Sequence, residues 1–330
     1  MSSPDDKLSA EERLIAHYFK PVATHPGALG LADDAAFVTP PPGHDLVLKT
    51  DGAIAGVHFF PEDDASTVAR KVLRMNLSDI AAKGAKPLGF LVSVALPRDI
   101  DMAWVERFAQ GLKADAEAYA CPLFGGDTDK TPGPITISVG MFGIVPTGTM
   151  VRRAGARPGD LIFVTGTIGD AALGLKLRLG ADWQLDAAQR EHLLSRYLLP
   201  QPRNAAAEAV RTHCSAAMDV SDGLAGDLTK LARVSGVAAT VEAAKVPLSG
   251  GARAAIAADP AMLETALTGG DDFEILCTVP PDRAAGFRAA TQTAGVAVTE
   301  IGTIAVGEGA RFLDAQGVPL AFQRLSFSHF

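Results

Sequence analysis

The segment Ser66–Leu96 reads STVARKVLRMNLSDIAAKGAKPLGFLVSVAL, and it joins a helical pattern to a strand pattern. The apolar residues of its first part recur at the spacing of one helix face and are Val68, Val72, Met75, Leu77 and Ile80. Gly84 and Pro87 then end the helix, and Phe90–Leu96 is an apolar run typical of a buried strand. A helix followed at once by a strand predicts a layered α/β (α+β) fold.

The same alternation extends along the rest of the chain. Strands are predicted at 45–50, 122–124, 135–145, 161–165, 216–219 and 273–279. Helices are predicted after the Ser9–Glu12 capping pattern, around Trp104–Leu112, up to about Arg211 and from Gly223. The glycine- and proline-rich stretch Pro146–Asp160 predicts a linker, which gives domains at 1–147 and 148–330.

Composition and charge restrict the function. The chain has 330 residues, of which 48% are hydrophobic, so a large buried core is expected. The formal net charge of -8 argues against nucleic acid and anionic membrane as partners, because both require a surplus of basic residues. The three cysteines lack metal-site spacing and predict buried thiols, and the acidic start without an apolar run predicts a cytoplasmic location.

Aspartates beside Gly, Ser, Thr or Asn recur at the ends of apolar runs. The segments are GLADDAA (30–36), KTD (49–51), NLSD (76–79), GGDT (125–128), DVSDGL (219–224) and GGDDFE (269–274). Each alone is explained by turn formation, and Asp222 is well placed to cap the helix predicted from Gly223. Together, acidic strand ends in an α/β protein favour Mg²⁺, which binds a few carboxylates, water and substrate phosphate. A nucleotide site is therefore predicted.

Other phosphate-binding features are weak or absent in the sequence. Neither GxxxxGK[ST] nor GxGxxG occurs, which argues against a P-loop. Asn76 and Asp79 share a helix face, either as site residues or as a solvated surface. Arg152 and Arg153 are either nucleotide contacts or linker charges, and the lone His58 is more typical of a structural hydrogen bond than of a catalyst.

The ordered motifs resemble those of the thiamine-monophosphate kinase family. The resemblance runs from about Leu14 to the end through GLADDAA, KTD with GVHF, NLSDIAAKGA, GGDT, RRAGARPGD, VTGTIGDAALGL, DVSDGLAGDL and GGDDFEIL. It implies a two-domain PurM-like fold of the aminoimidazole ribonucleotide synthetase type, whose N-terminal domain strands form the interface of a homodimer. It also implies transfer of a phosphate group from ATP to thiamine monophosphate, giving thiamine diphosphate, with several Mg²⁺ ions.

The resemblance also implies roles for individual residues. The implied Mg²⁺ ligands are Asp33, Asp34, Thr50, Asp51, Asp79, Asp127, Asp219 and Asp222. The implied ATP contacts are Gly126, Asp127, Arg153 and Ser221. The implied thiamine monophosphate contacts are His58, Asp271 and Phe327. Asp79, Asp127 and Asp222 are the implied catalytic residues, because they hold the cations used in phosphoryl transfer.

Three positions depart from the family pattern: Ala32 in place of glycine, Lys49 in place of Ser or Thr, and Asp271 in place of Glu. The ammonium group of Lys49 either substitutes for part of one cation's charge or weakens a metal site. Aminoimidazole ribonucleotide synthetase is the second candidate function, and a non-catalytic regulator that binds divalent cations and nucleotide is the alternative from a different class.

Overall fold

The computed structural model describes residues 9–326 and contains two compact units. The first holds the chain up to Ile80 together with Lys86–Gly148, and the second holds Ala81–Ala85 together with the chain from Thr149 onward. Each unit has its own β-sheet and helices, in agreement with the predicted α/β class. The predicted domain limits of 1–147 and 148–330 stay a prediction.

The first unit contains one mixed sheet with helices on it. Its α-helices and strands within residues 9–326 are α1 (Ala10–Leu14), β1 (His44–Ile54), α2 (Ala65–Ala82), β2 (Lys86–Pro97), α3 (Met102–Ala118), β3 (Leu123–Thr131) and β4 (Thr136–Pro146). The strand order is β1-β4-β2-β3, with β2 parallel to β3 and the other neighbours antiparallel.

Local sequence explains how these elements begin and pack. The Ser9–Glu12 capping box is confirmed, since Ser9 N donates to Glu12 Oε2 at 2.6 Å and Glu12 N donates to Ser9 Oγ at 3.1 Å. The predicted apolar face of α2 is buried. In β1, Val47 and Ala53 are buried while Leu46 and Leu48 are exposed, so the two faces of this strand meet different surroundings.

The second unit contains a larger sheet. Its α-helices and strands within the described chain are β5 (Leu161–Thr165), α4 (Asp170–Arg178), α5 (Ala187–Leu198), α6 (Ala207–His213), β6 (Ala216–Asp219), α7 (Leu224–Ser235), β7 (Ala238–Glu242), α8 (Gly250–Ala258), α9 (Met262–Thr268), β8 (Ile275–Val279), α10 (Ala284–Thr293), β9 (Val298–Ala305) and β10 (Gly309–Leu313). The order is β10-β7-β9-β5-β8-β6, and β10 and β7 are the parallel pair. The remaining neighbours are antiparallel.

Two segments predicted as acidic turns lie inside strands instead. KTD (49–51) is in the middle of β1, and GGDT (125–128) continues β3, which was predicted to end at Phe124. Glycine and aspartate favour turns in isolation. Here β1 pairs with β4 along its whole length and β3 pairs with β2 as far as Thr131, so interstrand hydrogen bonds outweigh the local preference.

Buried thiols are confirmed, since Cys121, Cys214 and Cys277 are all buried and reduced. Burial raises the pKa of Cys121 to about 12. Among the helices of residues 9–326, none has the length and apolar character needed to cross a membrane.

A buried ion pair joins α2 to α3, and its removal should destabilise the first unit. Asp115 is 1% exposed and accepts from Arg74 Nε at 2.6 Å and from Arg70 Nε at 3.1 Å. Asp115→Ala leaves the largely buried Arg74 guanidinium without this carboxylate, so we expect a loss of about 3 kcal/mol in the free energy of unfolding. Urea unfolding followed by circular dichroism measures it.

The matched control is Glu117→Gln on the same helix, where an exposed carboxylate lies 3.9 Å from Lys113. Exposed pairs contribute about 0–1 kcal/mol, so this variant should stay close to the unmodified chain. Equal stability of the two variants would show that the buried pair does not stabilise the helix packing.

Candidate active site

A cavity of about 640 Å³ lies on one face of the sheet in the first unit. On β2 and β4 its lining consists of Leu91, Val92, Ser93, Ser138, Gly140 and Phe142. Alternate residues of a strand point to the same side, so Leu91 and Ser93 share one face of the sheet, as do Ser138, Gly140 and Phe142.

Four of the predicted site residues line this cavity together. Asp33 and Asp34 come from the segment before β1, while Gly126 and Asp127 come from β3. Most of the remaining lining is apolar and includes Ile15, Phe19, Leu31, Leu123 and Phe124. A volume of this size with an apolar lining and a few polar groups is typical of a small-molecule site.

Gly126 is required by the close approach of two strands. A Cβ atom at this position would lie 1.9 Å from the carbonyl oxygen of Val92 on β2, a distance that no side chain tolerates. By contrast, a Cβ atom on Gly140 in the same cavity would meet no atom within 4 Å. Gly126 therefore keeps β3 paired with β2 and leaves backbone exposed beside Asp127.

The segment that carries Asp33 and Asp34 is anchored at Gly27. Phe37 N donates to Gly27 O at 3.0 Å, and a Cβ atom on Gly27 would lie 2.0 Å from Phe37 O. Leu29 and Leu31, just before the aspartates, have φ values of 52° and 55° in the left-handed region. Such backbone strain costs on the order of 1–3 kcal/mol per residue and is common beside ligand-binding segments.

Asp51 and Asp79 do not line the cavity but meet at Lys49. Lys49 Nζ lies 3.1 Å from Asp51 Oδ2 and 2.9 Å from Asp79 Oδ2. Asp51 N also donates to Asn76 Oδ1 at 3.0 Å, so the helix face shared by Asn76 and Asp79 packs on β1 rather than facing solvent. Burial lowers the pKa of Lys49, but the charges and hydrogen bonds of Asp79 and Asp51 outweigh burial and raise it above its ordinary value.

Thr50 and His58 lie apart from this ion pair. Thr50 alternates with Lys49 and Asp51 along β1 and so points to the opposite face of the sheet. His58 Nδ1 accepts a hydrogen bond from Ile54 N at 3.1 Å, which gives this side chain a structural role in the turn after β1. Its contact with substrate stays a prediction.

In the second unit, the DVSDGL and GGDDFE segments lie against each other. Asp271 N donates to Ser221 O at 2.9 Å, and Phe273 N donates to Val220 O at 2.8 Å. Asp271 and Phe273 have φ values of 72° and 51°, which are unusual for residues other than glycine. The predicted residues Ser221 and Asp271 are thus brought together through backbone contacts.

Asp227 shapes the turn that holds Ser221 and Asp222. Its Oδ2 atom accepts from Ser221 N and from Asp222 N, both at 2.9 Å. Lys230 Nζ lies 2.8 Å from Asp227 Oδ1 and 2.5 Å from Asp222 Oδ2. Burial raises the pKa of Asp227, and its contacts with Lys230 oppose that rise.

The prediction that Asp222 caps the helix after it is wrong. Gly223, with φ of 102°, is the N-cap of α7, the helix begins at Leu224, and no side chain caps it. Asp222 therefore lies one residue too early, and its carboxylate accepts from Lys230 instead. Neither Asp227 nor Lys230 was singled out from the sequence, although both follow in DVSDGLAGDLTK at the spacing of successive helical turns.

Three further residues of the second unit were predicted as site residues. Asp219 ends β6 and is 4% exposed, whereas Arg153 is exposed in the linker after β4. Phe327 lies outside the described residues, which end at Ser326. Ser326 Oγ donates to Asp222 O at 3.3 Å, so the chain reaches the DVSDGL turn at this point.

Two buried acidic residues that the sequence analysis missed support the GGDDFE segment. Asp272 Oδ2 accepts from Gly169 N at 2.8 Å, and burial raises the pKa of Asp272 well above its ordinary value. Glu274 Oε2 accepts from Thr165 Oγ1 at 2.6 Å and from Arg203 Nε at 2.6 Å. Their alternation with Asp271 and Phe273 is the sequence signal that could have identified them.

The predicted metal ligands suit a hard cation such as Mg²⁺ by their chemistry. All of them offer carboxylate or hydroxyl oxygen atoms, and Asp33, Asp34 and Asp127 share one cavity. No group of three or more His, Cys, Asp and Glu residues that could hold a metal ion occurs in residues 9–326. Mg²⁺ is compatible with this arrangement, because it is held by one or two carboxylates together with water and substrate phosphate.

Family comparisons cover both units. The model for the N-terminal domain of AIR synthase related proteins matches residues 32–145, and the model for the C-terminal domain matches residues 157–314. A thiamine-monophosphate kinase of Caulobacter vibrioides is 44% identical over 299 residues, which cover 89% of this chain and 84% of that protein. The chain belongs to the thiamine-monophosphate kinase family.

Solved structures of the thiamine-monophosphate kinase family agree with this membership. The Stenotrophomonas maltophilia enzyme is 36% identical with a TM-score of 0.81, and the match covers 93% of this chain and 96% of that chain. AaThiL, solved in complex with AMPPCP and TMP, is 34% identical with a TM-score of 0.78, covering 90% of this chain and 91% of that chain. The resemblance read from the motifs and the two-domain PurM-like fold are confirmed, while the roles of single residues stay predictions.

Gly126→Ala in this thiamine-monophosphate kinase family member should displace β3 from β2. The added methyl group collides with Val92 O, and overpacking of this kind costs about 1–3 kcal/mol. We expect a lower thermal midpoint and weaker binding of an ATP analogue in calorimetry. Gly140→Ala adds the same methyl group to open space in the same cavity and should keep the thermal midpoint. Identical midpoints in both variants would contradict the requirement for glycine.

Proposed function

We propose that the chain transfers the γ-phosphate of ATP to thiamine monophosphate, which gives ADP and thiamine diphosphate. The observation that carries this proposal is the cavity that gathers Asp33, Asp34, Gly126 and Asp127 in a chain of this family. The apolar part of its lining suits a nucleobase, and its carboxylates suit the cations that accompany nucleotide phosphates. The complex of AaThiL with AMPPCP and TMP supports the same pair of substrates.

The residues of the cavity have separate tasks in this proposal. Asp33, Asp34 and Asp127 would hold Mg²⁺, and Gly126 leaves room for a phosphate group beside the backbone of β3. Bound Mg²⁺ neutralises negative charge on the phosphate oxygens during the transfer. Further proposed Mg²⁺ ligands are Thr50, Asp51, Asp79, Asp219 and Asp222. Asp79, Asp127 and Asp222 are proposed to be catalytic through the cations that they would hold.

The acceptor explains why no strong general base is proposed. The phosphate oxygen of thiamine monophosphate is already a competent nucleophile near neutral pH, so the reaction depends on holding donor and acceptor in line. In the second unit, Asp227 accepts hydrogen bonds from the backbone of Ser221 and Asp222 and fixes their position. The strained backbone of Asp271 donates a hydrogen bond to Ser221 O. Ser221 and Arg153 are proposed to contact ATP, and His58, Asp271 and Phe327 the thiamine phosphate.

The activity test is incubation with ATP, Mg²⁺ and thiamine monophosphate, followed by chromatographic measurement of thiamine diphosphate. Asp127→Asn should lower kcat by at least about 100-fold, because it removes a carboxylate charge that would hold Mg²⁺ at the reacting phosphates. Asp129→Asn makes the same change two residues along β3, outside the cavity lining, and should keep activity. If the unmodified chain binds ATP but forms no product, a protein that only binds nucleotide is favoured. Equal activity of the two variants would exclude a catalytic role for Asp127.

A homodimer formed through the first unit is part of the proposal. Leu46, Leu48 and Leu91 are 39%, 67% and 38% exposed on the strands of this sheet, and an exposed apolar surface of this kind is typical of an interface. Leu48 lies opposite Phe142 of β4, on the face that carries the cavity.

Leu48→Glu should therefore convert the dimer to a monomer, because it places a charge in an apolar contact. Light scattering coupled to size-exclusion chromatography measures the mass. Val306→Glu introduces the same charge at an 86% exposed valine of the second unit and should leave the dimer intact. A monomeric unmodified chain, or a Leu48→Glu variant that stays dimeric, would contradict the proposed interface.

A further inference from the structure

Lys49 stands between two carboxylates that the proposed function assigns to metal binding. Its Nζ atom is 3.1 Å from Asp51 Oδ2 and 2.9 Å from Asp79 Oδ2, so one ammonium group is shared by both. The three side chains are 29%, 36% and 20% exposed in the order Lys49, Asp51, Asp79, which means that the trio is largely covered.

The positions of these three groups are fixed by the surrounding backbone. Lys49 and Asp51 point to the same face of β1. The pairing of β1 with β4 continues along the strand before Lys49 and after Asp51. Asn76 is fully buried, accepts from Asp51 N and donates from Nδ2 to Val72 O at 3.0 Å, which ties β1 to α2. Asp79 lies one turn further along the same helix. The carboxylates are therefore held close together by the fold itself.

Two carboxylates held in this way require a positive charge between them. The charge of the trio is −1 with Lys49 present and would be −2 without it, so the remaining pair would attract a divalent cation strongly. An ammonium group and a divalent cation compete for the same oxygen atoms. Because Lys49 is part of the chain, it neutralises the carboxylates without an ion from solution.

We propose that Lys49 is a built-in cation of the Asp51–Asp79 pair and holds the place that a divalent ion would otherwise take. The inference rests on the proposed function in treating Asp51 and Asp79 as metal ligands, and it lowers by one the number of divalent ions that this pair binds without nucleotide. In this chain, Lys49 is a positioning residue that sets the divalent-cation requirement of the pair.

The test compares Lys49→Met with the unmodified chain by calorimetric titration of Mn²⁺ and Mg²⁺ into metal-free protein without nucleotide. Methionine keeps the length of the side chain and removes the charge. We expect one additional Mn²⁺ per chain, or binding at least about tenfold tighter, because the repulsion between Lys49 and the ion is gone. Lys49→Arg keeps a positive charge and should retain the stoichiometry of the unmodified chain.

Lys245→Met is the matched control. Lys245 Nζ lies 2.7 Å from the exposed carboxylate of Glu242, and Glu300 acts on it only through its charge. Its removal therefore changes the net charge equally but leaves no two carboxylates that shared one ammonium group. Divalent-cation binding should not change in this variant. Unaltered stoichiometry and affinity in Lys49→Met would overturn the proposal, and so would an equal gain in Lys245→Met.

Thermal unfolding keeps the test decisive if Lys49→Met is poorly folded. Its midpoint in EDTA should be lower than that of the unmodified chain, and Mg²⁺ should restore it while NaCl of equal ionic strength should not. Failure of Mg²⁺ to restore the midpoint would overturn the proposal. None of these measurements uses catalysis, so a chain that makes no thiamine diphosphate would refute the proposed function and leave this result standing.

Discussion

Repulsion between neighbouring carboxylates is the constraint on which the rest of the site depends. In each unit, a lysine ammonium group lies between two aspartates: Lys49 between Asp51 and Asp79, and Lys230 between Asp222 and Asp227. Aspartates held close together repel one another unless a positive charge lies between them or one of them is protonated. The two lysines supply that charge from within the chain.

The sheet of the first unit separates its acidic groups by strand geometry. Lys49 and Asp51 point towards α2, while Leu48 and Thr50 point to the other face because side chains alternate along β1. The cavity with Asp33 and Asp127 is also lined by Phe142, which lies opposite Leu48 on β4. A single strand thus contributes an ion-paired side and an apolar side, which serve different purposes in the proposed function.

Much of this fold could be predicted from sequence, because the apolar residues of α2 and β2 follow the patterns of a helix and of a buried strand. The limits of β3 could not, since Gly125 and Asp127 favour turns and only pairing with β2 makes them part of a strand. The grouping of Asp33 with Asp127 in one cavity also depends on tertiary structure.

In the second unit, the shape of the turn at Ser221 and Asp222 could not be predicted from sequence either. The motif DVSDGL marked Ser221 and Asp222 as site residues, but the hydrogen bonds from Asp227 that shape the turn require the helix to be in place. The positive φ value of Phe273 has no local sequence signature, because a bulky residue rarely adopts this conformation.

The contacts around Ser221 also have different entropic costs during folding. Asp227 binds the backbone of this turn from the first turn of α7, so these bonds close a short loop and can form as the helix forms. The bond from Asp271 N to Ser221 O joins residues far apart in the chain and requires the strained backbone as well. The turn is therefore shaped locally, whereas its contact with the partner segment belongs to the long-range pairing of β6 with β8.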